Sequence, residues 1–291
     1  MAQPATRKLL VVGGSGFLGL SVCKHAIRQG WETISLSRRG TPELFKQGQR
    51  SEWAEKVQWE AGDSLEPATY QHLLENVTDI VHTVGMISEL DYKQVVGAKN
   101  LCDAANGMAR LAGEAIGMRD RGNPLRETPR PTFERVNRDT TITLAKEAAK
   151  IPTMDAFVFI SASDIFPLVD PRYISTKRQA EQFLFARPEF RSIVLRPGFM
   201  YSHERPAATP LATAIQVANM ITKPVAKELD TLPFGTSLTT PPLHIDTVAN
   251  AVISGIAQKG LKGIFDVQGI EQLSRAPHQS VSASPASSPS L

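Results

Sequence analysis

The chain has 291 residues, of which 42% are hydrophobic and 21% charged, and its formal net charge is +3. This composition is that of a globular protein, and the mild charge, spread along the chain, gives no indication of nucleic-acid binding. Two cysteines, Cys23 and Cys102, are too few for a disulfide framework or a thiolate metal site, and we expect both in the core. No apolar run reaches about 18 residues, so we predict no transmembrane span.

The predicted elements begin almost at the first residue. Residues 8–12 form a short apolar run that ends in glycines, which is typical of a fully buried parallel strand. We see neither a secretory signal nor an Arg-rich transit peptide before it. Further strands are predicted at 33–37, 57–60, 79–84, 157–161, 192–196 and 263–267, and helices at 17–29, 138–150, 176–186 and 245–255. Alternating strands and helices predict a doubly wound parallel α/β sheet with right-handed crossovers.

Two regions interrupt this alternation. Residues 97–130 form an insertion that contains Gly, Arg and Pro, and residues 199–243 contain several prolines. We interpret 199–243 as a small C-terminal substrate-side subdomain placed between the main α/β domain, 7–198, and a return to that domain at 244–270. Residues 274–291 are mostly Ser, Ala and Pro, so they cannot bury enough surface to offset their ordering entropy, and we predict a disordered tail.

A glycine-rich segment lies between the first strand and the first helix. Gly13, Gly16 and Gly19 have the spacing G-x-x-G-x-x-G. One glycine makes a tight turn, one lets the backbone approach a pyrophosphate, and one lets the helix pack close to the sheet. The helix begins at Phe17 and Leu18, and its free N–H groups and dipole are suited to binding phosphates. The segment therefore predicts a dinucleotide-binding site rather than a plain turn.

The end of the second strand indicates which dinucleotide is bound. About 20 residues after the glycines, an Asp or Glu would bind the ribose 2′-hydroxyl of NAD. Here Ser37 and Arg38 are followed by Arg39, without an acid, and a hydroxyl beside cations suits a 2′-phosphate. We therefore favour NADP(H) over NAD(H), and interpret Arg39 as a solvated surface charge. Asp63, after the third strand, either accepts from the adenine amino group or caps the next helix.

The candidate catalytic residues follow the fifth strand. Tyr173 and Lys177 are four residues apart and share one face of a helix. A nearby ammonium lowers the pKa of a phenol, so we predict Tyr173 as the acid/base of a carbonyl–alcohol interconversion that exchanges hydride with a nicotinamide. Lys177 would lie near the phenol or the cofactor ribose. Ser163 is the preferred hydrogen-bond partner of the substrate oxygen and Ser161 is the alternative. Either serine could instead have only a structural role in the turn.

Three further polar residues lie at element boundaries. Asn137, at the start of a helical run, is either its N-cap or an active-site residue. His82, at the end of the fourth strand, is expected to line the cofactor cleft rather than act as a base. Asp246, after His244, is expected to cap the late helix. No set of His, Cys and carboxylates has metal-ligand spacing.

These motifs, in this order, resemble those of the extended and atypical short-chain dehydrogenase/reductases, the NAD-dependent epimerase/dehydratase group. The resemblance covers about residues 9–267 and implies a Rossmann-type fold with a nicotinamide dinucleotide. The matching pieces are the glycine loop, Gly62-Asp63, residues 79–82, Asn137, Tyr173 with Lys177, Arg196-Pro197-Gly198 and residues 244–246. The step from Ser163 to Tyr173 is much shorter than in the sugar epimerases of the group, which argues against ordinary sugar-nucleotide chemistry.

Within the group, the glycine loop and residues 85–88 and 92–95 look most like the fungal mitochondrial branch that serves coenzyme Q biosynthesis. That branch is related to the Rossmann accessory subunit of respiratory complex I. The resemblance implies a location on the matrix side of the mitochondrial inner membrane and partners among the subunits of the ubiquinone-synthesis complex.

Two hypotheses follow from these motifs and this resemblance. The first is an NADPH-linked oxidoreductase with a quinone-like lipid substrate, which the intact Tyr-x-x-x-Lys pair favours. The second is a non-catalytic nucleotide-binding subunit that stabilises or regulates the complex. The shortened loop and the insertion at 97–130 favour the second hypothesis.

Overall fold

A computed structural model describes residues 7–42, 45, 51–87, 131–163, 170–202 and 241–276. Its strands are β1 (Lys8–Val12), β2 (Glu32–Ser37), β3 (Val57–Ala61), β4 (Asp79–His82), β5 (Ala156–Ile160), β6 (Arg191–Leu195), β7 (Met200–Tyr201), β8 (Leu243–His244) and β9 (Gly263–Phe265). Its α-helices are α1 (Phe17–Arg28), α2 (Glu52–Glu55), α3 (Thr140–Ala148), α4 (Pro171–Phe185), α5 (Ile245–Ala257) and α6 (Val267–Arg275). Two 3₁₀ turns lie at Pro67–Thr69 and Gln71–Leu74, and a π-helical turn, Glu134–Asp139, runs directly into α3.

Seven parallel strands form one sheet in the order β3-β2-β1-β4-β5-β6-β9. The chain builds outward from β1 to β3, then crosses to the other side of β1 with β4. Where the strand order reverses, the carboxyl ends of β1 and β4 leave a crevice that is the usual ligand site of such sheets. The predicted doubly wound parallel sheet is confirmed. A separate pair, β7 and β8, is also parallel.

Both faces of the sheet are buried, which is why its strands are continuous apolar runs in the sequence. In β1, Leu9 and Val11 belong to a core with α1 and α5, whereas Leu10 and Val12 belong to a core with α3 and α4. All five residues of β5 are buried. Alternate residues of each inner strand therefore point to opposite helix layers.

Two differences from the predicted helices have a clear cause in the capping residues. Helix α4 begins at Pro171, earlier than predicted, because the Asp170 carboxylate accepts from the backbone N–H of Arg172 and caps it. Helix α6 was not predicted. Val267 begins this helix instead of ending the preceding strand, because the Asp266 carboxylate accepts from the N–H of Gly269. Since α6 runs to Arg275, the first residues of the predicted tail are helical.

Several predictions fall outside the described residues. They concern the insertion at 97–130, most of the subdomain at 199–243, residues 277–291 of the tail, and Cys102. Cys23, in α1, is buried in the core as expected. No helix within the described ranges is long and apolar enough to cross a membrane.

Candidate functional site

The three repeated glycines of the phosphate loop, residues 13–19, are packed so closely that a side chain is excluded at each of them. Gly13 has φ +86°, a left-handed conformation that favours glycine, and its N–H donates to the carbonyl of Leu36 at 2.8 Å. A Cβ at Gly13 would lie 2.5 Å from Thr83 Oγ1. A Cβ at Gly19 would lie 2.2 Å from the Gly13 carbonyl oxygen, and one at Gly16 would lie 2.9 Å from the same atom. The loop therefore lets a ligand approach the backbone directly.

The N-terminus of α1 is suited to an anion. Gly16 stands at the N-cap and has no side chain to cap the helix, and the first turn, from Phe17 and Leu18 onward, contains no acidic residue. The backbone N–H groups and the positive end of the helix dipole thus face the loop without a competing carboxylate. Loop and helix end fit a pyrophosphate.

At the end of β2, Ser37 is part of the turn, whereas Arg38 is exposed. The Ser37 hydroxyl donates to the Gly40 carbonyl at 3.1 Å. Arg39 is also exposed. Asp63 does not cap a helix: its Oδ1 accepts from the N–H of Leu65 at 2.9 Å, and the next 3₁₀ turn starts only after Glu66. The capping alternative for Asp63 is therefore wrong, and its adenine role stays a prediction.

Lys177 lies beneath the carboxyl ends of β4 and β5. Its side chain is buried, and Nζ donates to the carbonyl of Ile160 at 2.8 Å. The ammonium is 4.8 Å from the centroid of the Phe159 ring, and a Cβ at Gly85 would come within 3.0 Å of it. Burial lowers the pKa of Lys177 to about 7, with Glu181 acting in the opposite direction.

Tyr173 stands in the first turn of α4 and is partly buried. Its ring meets Phe133 edge to face, with centroids 6.2 Å apart. The preceding Arg172 holds this end of α4 against the π-helical turn through a bidentate pair with Glu134, at 2.7 Å for Nη2 and Oε2. Burial raises the pKa of Tyr173 to about 12, with Arg178 acting in the opposite direction.

The predicted lowering of the Tyr173 pKa by Lys177 is therefore wrong for this structure. The reason is geometric, since the ammonium of Lys177 is directed to the carbonyl oxygen of Ile160.

The two candidate serines differ in whether their hydroxyls are hydrogen-bonded. Ser161 donates to Glu181 Oε1 at 2.5 Å and accepts from Arg178 at 3.2 Å. Ser163 Oγ is shielded from solvent and has no hydrogen-bond partner among the described residues, while its backbone N–H donates to the carbonyl of Pro197. Of the two hydroxyls, that of Ser163 is the one without a hydrogen bond to the described residues.

Asn137 and His82 occupy buried positions near Lys177. Asn137 lies in the π-helical turn, where its Oδ1 accepts from the N–H of Met86 at 2.7 Å and its Nδ2 donates to the Met86 carbonyl at 3.0 Å. It is therefore not an N-cap but clamps the segment that follows β4. His82 is fully buried, and its Nδ1 lies 3.5 Å from the hydroxyl of Thr141 in α3. The expectation that it lines an open cleft is therefore not met. Burial, and then Lys177, lower the pKa of His82 to about 3.

The cap of α5 is His244 rather than Asp246. His244 Nδ1 accepts from the N–H of Asp246 at 3.2 Å. The Asp246 carboxylate instead accepts from the hydroxyl of Ser21 in α1, at 2.6 Å. The predicted cap is wrong because this long-range partner draws the carboxylate away from its own helix end.

Sequence reasoning missed Glu181, which organises one side of the site. This buried carboxylate binds Ser161 and Arg178, and Arg196 donates to it from the end of β6. A signal was present, since Glu181 follows Lys177 by four residues and so continues the helix face of the Tyr-x-x-x-Lys pair. Within the described part of the chain, no group of three or more His, Cys, Asp or Glu could hold a metal ion.

Comparisons with known proteins bear on the family and the fold. The model of the NAD dependent epimerase/dehydratase family matches residues 9–116. MIOREX complex component 2 of Saccharomyces cerevisiae is 31% identical over 90% of this chain and 98% of its own length. An uncharacterized, chloroplastic protein of Arabidopsis thaliana is 26% identical over 94% of this chain and 79% of its own. The UDP-glucuronic acid 4-epimerase of Bacillus cereus, solved with NAD, has a TM-score of 0.54 at 16% identity, over 89% of this chain and 76% of that one.

The chain therefore belongs to the NAD-dependent epimerase/dehydratase family of short-chain dehydrogenase/reductase-type Rossmann proteins. This confirms the family that the motifs indicated. The solved epimerase, at its low identity, shows the fold alone. Family and fold together support the binding of a nicotinamide dinucleotide.

Proposed function

We propose that this protein is an NADP(H)-linked reductase that acts on a carbonyl or quinone-like group of a hydrophobic substrate. The observation behind the proposal is the Ser163 hydroxyl, which is shielded from solvent and has no partner within the described residues. An unpaired buried hydroxyl costs about 1–3 kcal/mol, which hydrogen bonding to a bound oxygen would recover. Ser161 has no such vacancy because it is bonded to Glu181.

Tyr173 is in the protonation state that reduction requires. Because burial raises its pKa to about 12, the phenol keeps its proton at neutral pH and can donate it to a substrate oxygen. A bound reduced nicotinamide would supply the hydride. Tyr173 would then donate its proton to the substrate oxygen as the carbonyl becomes an alcohol, while Ser163 donates a hydrogen bond to the same oxygen.

The preference for NADP(H) is part of the proposal. The end of β2 contains no acid, and Arg38 is exposed where a 2′-phosphate could contact it. Since the Ser37 hydroxyl is bonded to Gly40, Arg38 is the stronger candidate of the two. Replacing Arg38 with Ala should lower the affinity for NADPH more than the affinity for NADH. Arg39→Ala is the matched control and should leave the ratio of the two affinities unchanged.

The setting of the activity is proposed from resemblance. We place the protein on the matrix side of the mitochondrial inner membrane, with the subunits of the ubiquinone-synthesis complex as partners and a quinone-like lipid as substrate. Two points support this setting: the motif resemblance to the coenzyme Q branch, and a yeast relative whose name makes it a complex component.

A second candidate function is a nucleotide-binding subunit without turnover. The Lys177 contacts favour it, because an ammonium bonded to the Ile160 carbonyl leaves the Tyr173 phenol without the expected activation. Such a subunit would stabilise or regulate the ubiquinone-synthesis complex through its nucleotide-bound state.

Tyr173→Phe separates the two candidates, because it keeps the ring against Phe133 and removes only the proton donor. Nucleotide binding is checked first as thermal stabilisation, since a ligand at about 100 times its Kd adds roughly 2.7 kcal/mol. If the protein is a reductase, we expect the variant to bind NADPH and to enter its complex normally, while cells that carry it no longer make ubiquinone. Unchanged ubiquinone would contradict the reductase and leave the subunit role. Tyr70→Phe, which alters a buried tyrosine under β2 and β4, is the control.

A further inference from the structure

Gly14 is not part of the three-glycine repeat, yet it is packed as closely as Gly19. A Cβ at Gly14 would lie 2.2 Å from Ser35 Oγ and 2.8 Å from Ser35 Cβ, below the 3.0 Å that Cβ atoms essentially never undercut. Unlike Gly13, Gly14 does not have a positive φ. An alanine is therefore excluded at Gly14 by its neighbour and not by its backbone conformation.

The neighbour is a fully buried serine in the middle of β2. Ser35 lies opposite Val11 in the register of β1 and β2, and its Oγ has no hydrogen-bond partner among the residues that the structure describes. The next residue, Leu36, accepts the hydrogen bond from Gly13. The phosphate loop is thus fastened to β2 at Leu36 and rests on the side chain of Ser35.

The strand that supports the loop also leads to the ribose end of the site. Ser35 is followed within the same strand by Ser37, and Arg38 comes next. Because close-packed contacts transmit small displacements, the height of the loop above β2 sets the spacing between the N-terminus of α1 and Arg38.

We propose that Ser35 is a positioning residue of the nucleotide site, and that Gly14 is a fourth obligatory glycine because of it. The pair holds the anion-binding end of α1 at a fixed distance from Arg38. This role rests on the dinucleotide binding proposed above. It makes the requirement for glycine at position 14 conditional on the residue at position 35, whereas the requirement at Gly13 is unconditional.

The test is a double-mutant cycle with the full chain, read as the affinity for NADPH and for NADH and, separately, as the unfolding temperature without nucleotide. Gly14→Ala should lower the affinity for NADPH on the order of tenfold or more, where each factor of ten corresponds to about 1.4 kcal/mol of binding free energy. Adding Ser35→Gly should restore binding, because the nearest remaining atom to the new Cβ is then the Val11 carbonyl oxygen at 3.1 Å. Adding Ser35→Ala should restore less, because the contact at 2.8 Å remains.

The controls separate this pair from a general loss of stability. Ser35→Gly alone measures the cost of a glycine in the strand. Gly13→Ala should not be rescued by Ser35→Gly, since its conformation and its contact with Thr83 are unaffected. If Gly14→Ala does not fold, the double variant that also carries Ser35→Gly is tested for folding. A folded double variant supports the proposed pair, and an unfolded one overturns the pair.

The outcomes also distinguish this proposal from the proposed function. The proposed pair is overturned if the wild type binds nucleotide and Gly14→Ala binds it equally well. It is also overturned if a change at Ser35 does not restore the affinity of Gly14→Ala. In both cases the proposed nucleotide binding stands. A wild-type protein that binds neither nucleotide overturns both.

Discussion

The two ends of the strands in the seven-stranded sheet differ in whether their buried polar groups are paired. We call the end where the strands begin the amino edge and the end where they finish the carboxyl edge. At the amino edge, Arg7 contacts Asp79 at 2.9 Å and Asp155 at 3.1 Å. Arg191, at the start of β6, binds Asp155 at 2.8 Å and donates to the carbonyl of Leu261. Both of these carboxylates, including the fully buried Asp79, are paired with an arginine.

At the carboxyl edge, some buried polar atoms are left unpaired, although Glu181 is paired with Arg178 and Arg196. Ser163 Oγ and His82 Nε2 have no hydrogen-bond partner within the described ranges. Since unsatisfied buried groups destabilise the folded chain, they persist where a ligand completes them or where function requires them. The carboxylates of the amino edge are thus paired, whereas the carboxyl edge combines the paired Glu181 with a hydroxyl and a ring nitrogen that a ligand could complete.

Breaking an ion pair at the amino edge should have the largest effect on stability. Arg7→Ala leaves the buried Asp79 without its cation, which should lower the free energy of unfolding by about 3–5 kcal/mol in urea denaturation. Nucleotide affinity of the folded variant should be unchanged. The matched control is Lys150→Ala, whose pair with Glu147 is exposed and should cost less than about 1 kcal/mol. A loss no larger than that of the control would contradict a stabilising role for this edge.

His82 should make the protein sensitive to acid. Its ordinary pKa is about 6.5, whereas burial lowers it to about 3 in the folded chain. Between these values the unfolded chain binds a proton that the folded chain does not, so the free energy of unfolding decreases as the pH falls. The slope is at most about 1.4 kcal/mol per pH unit.

Variants at two histidines isolate this term. His82→Phe should lack this term, so the unfolding free energy of wild type minus that of the variant should decrease from pH 7 down to pH 4. His72→Gln is the control, because His72 is exposed and its replacement should leave the slope unchanged. Parallel pH profiles for wild type and His82→Phe would show that the ring is protonated in the folded state.

Much of the fold could be predicted because it depends on local patterns. The strands are apolar runs since both faces of the sheet are covered, and the glycine spacing marked the loop before α1. Helix α6 was missed although its capping residue, Asp266, is visible in the sequence. The apolar Val267 continued the strand pattern and concealed the start of the helix.

The missed features of the site depend on contacts between distant segments. Asn137 clamps Met86, and Asp246 accepts from Ser21, across gaps that no local pattern reports. The direction of the Lys177 ammonium depends on where the carbonyl of Ile160 lies, so spacing along a helix could not predict its effect on Tyr173. Sequence therefore indicated which residues gather at the carboxyl edge but not which of their atoms are already bonded.

The smallest expected effect compares the two serines after β5. Ser161→Ala removes a hydrogen bond to the buried Glu181 and should lower the free energy of unfolding by about 1.5 kcal/mol. Ser163→Ala removes a hydroxyl that has no partner among the described residues, so stability should stay unchanged or rise slightly. Turnover, by contrast, should fall with Ser163→Ala, because the substrate oxygen loses its hydrogen-bond donor.

Urea denaturation of both variants without nucleotide checks the sign of each effect. Because the serines are two residues apart and lose the same atom, differences in helix propensity or side-chain volume cannot account for opposite outcomes. If Ser163→Ala were as destabilising as Ser161→Ala, the Ser163 hydroxyl would be bonded in the folded protein. The carboxyl edge would then no longer differ from the amino edge in a hydroxyl kept free for substrate.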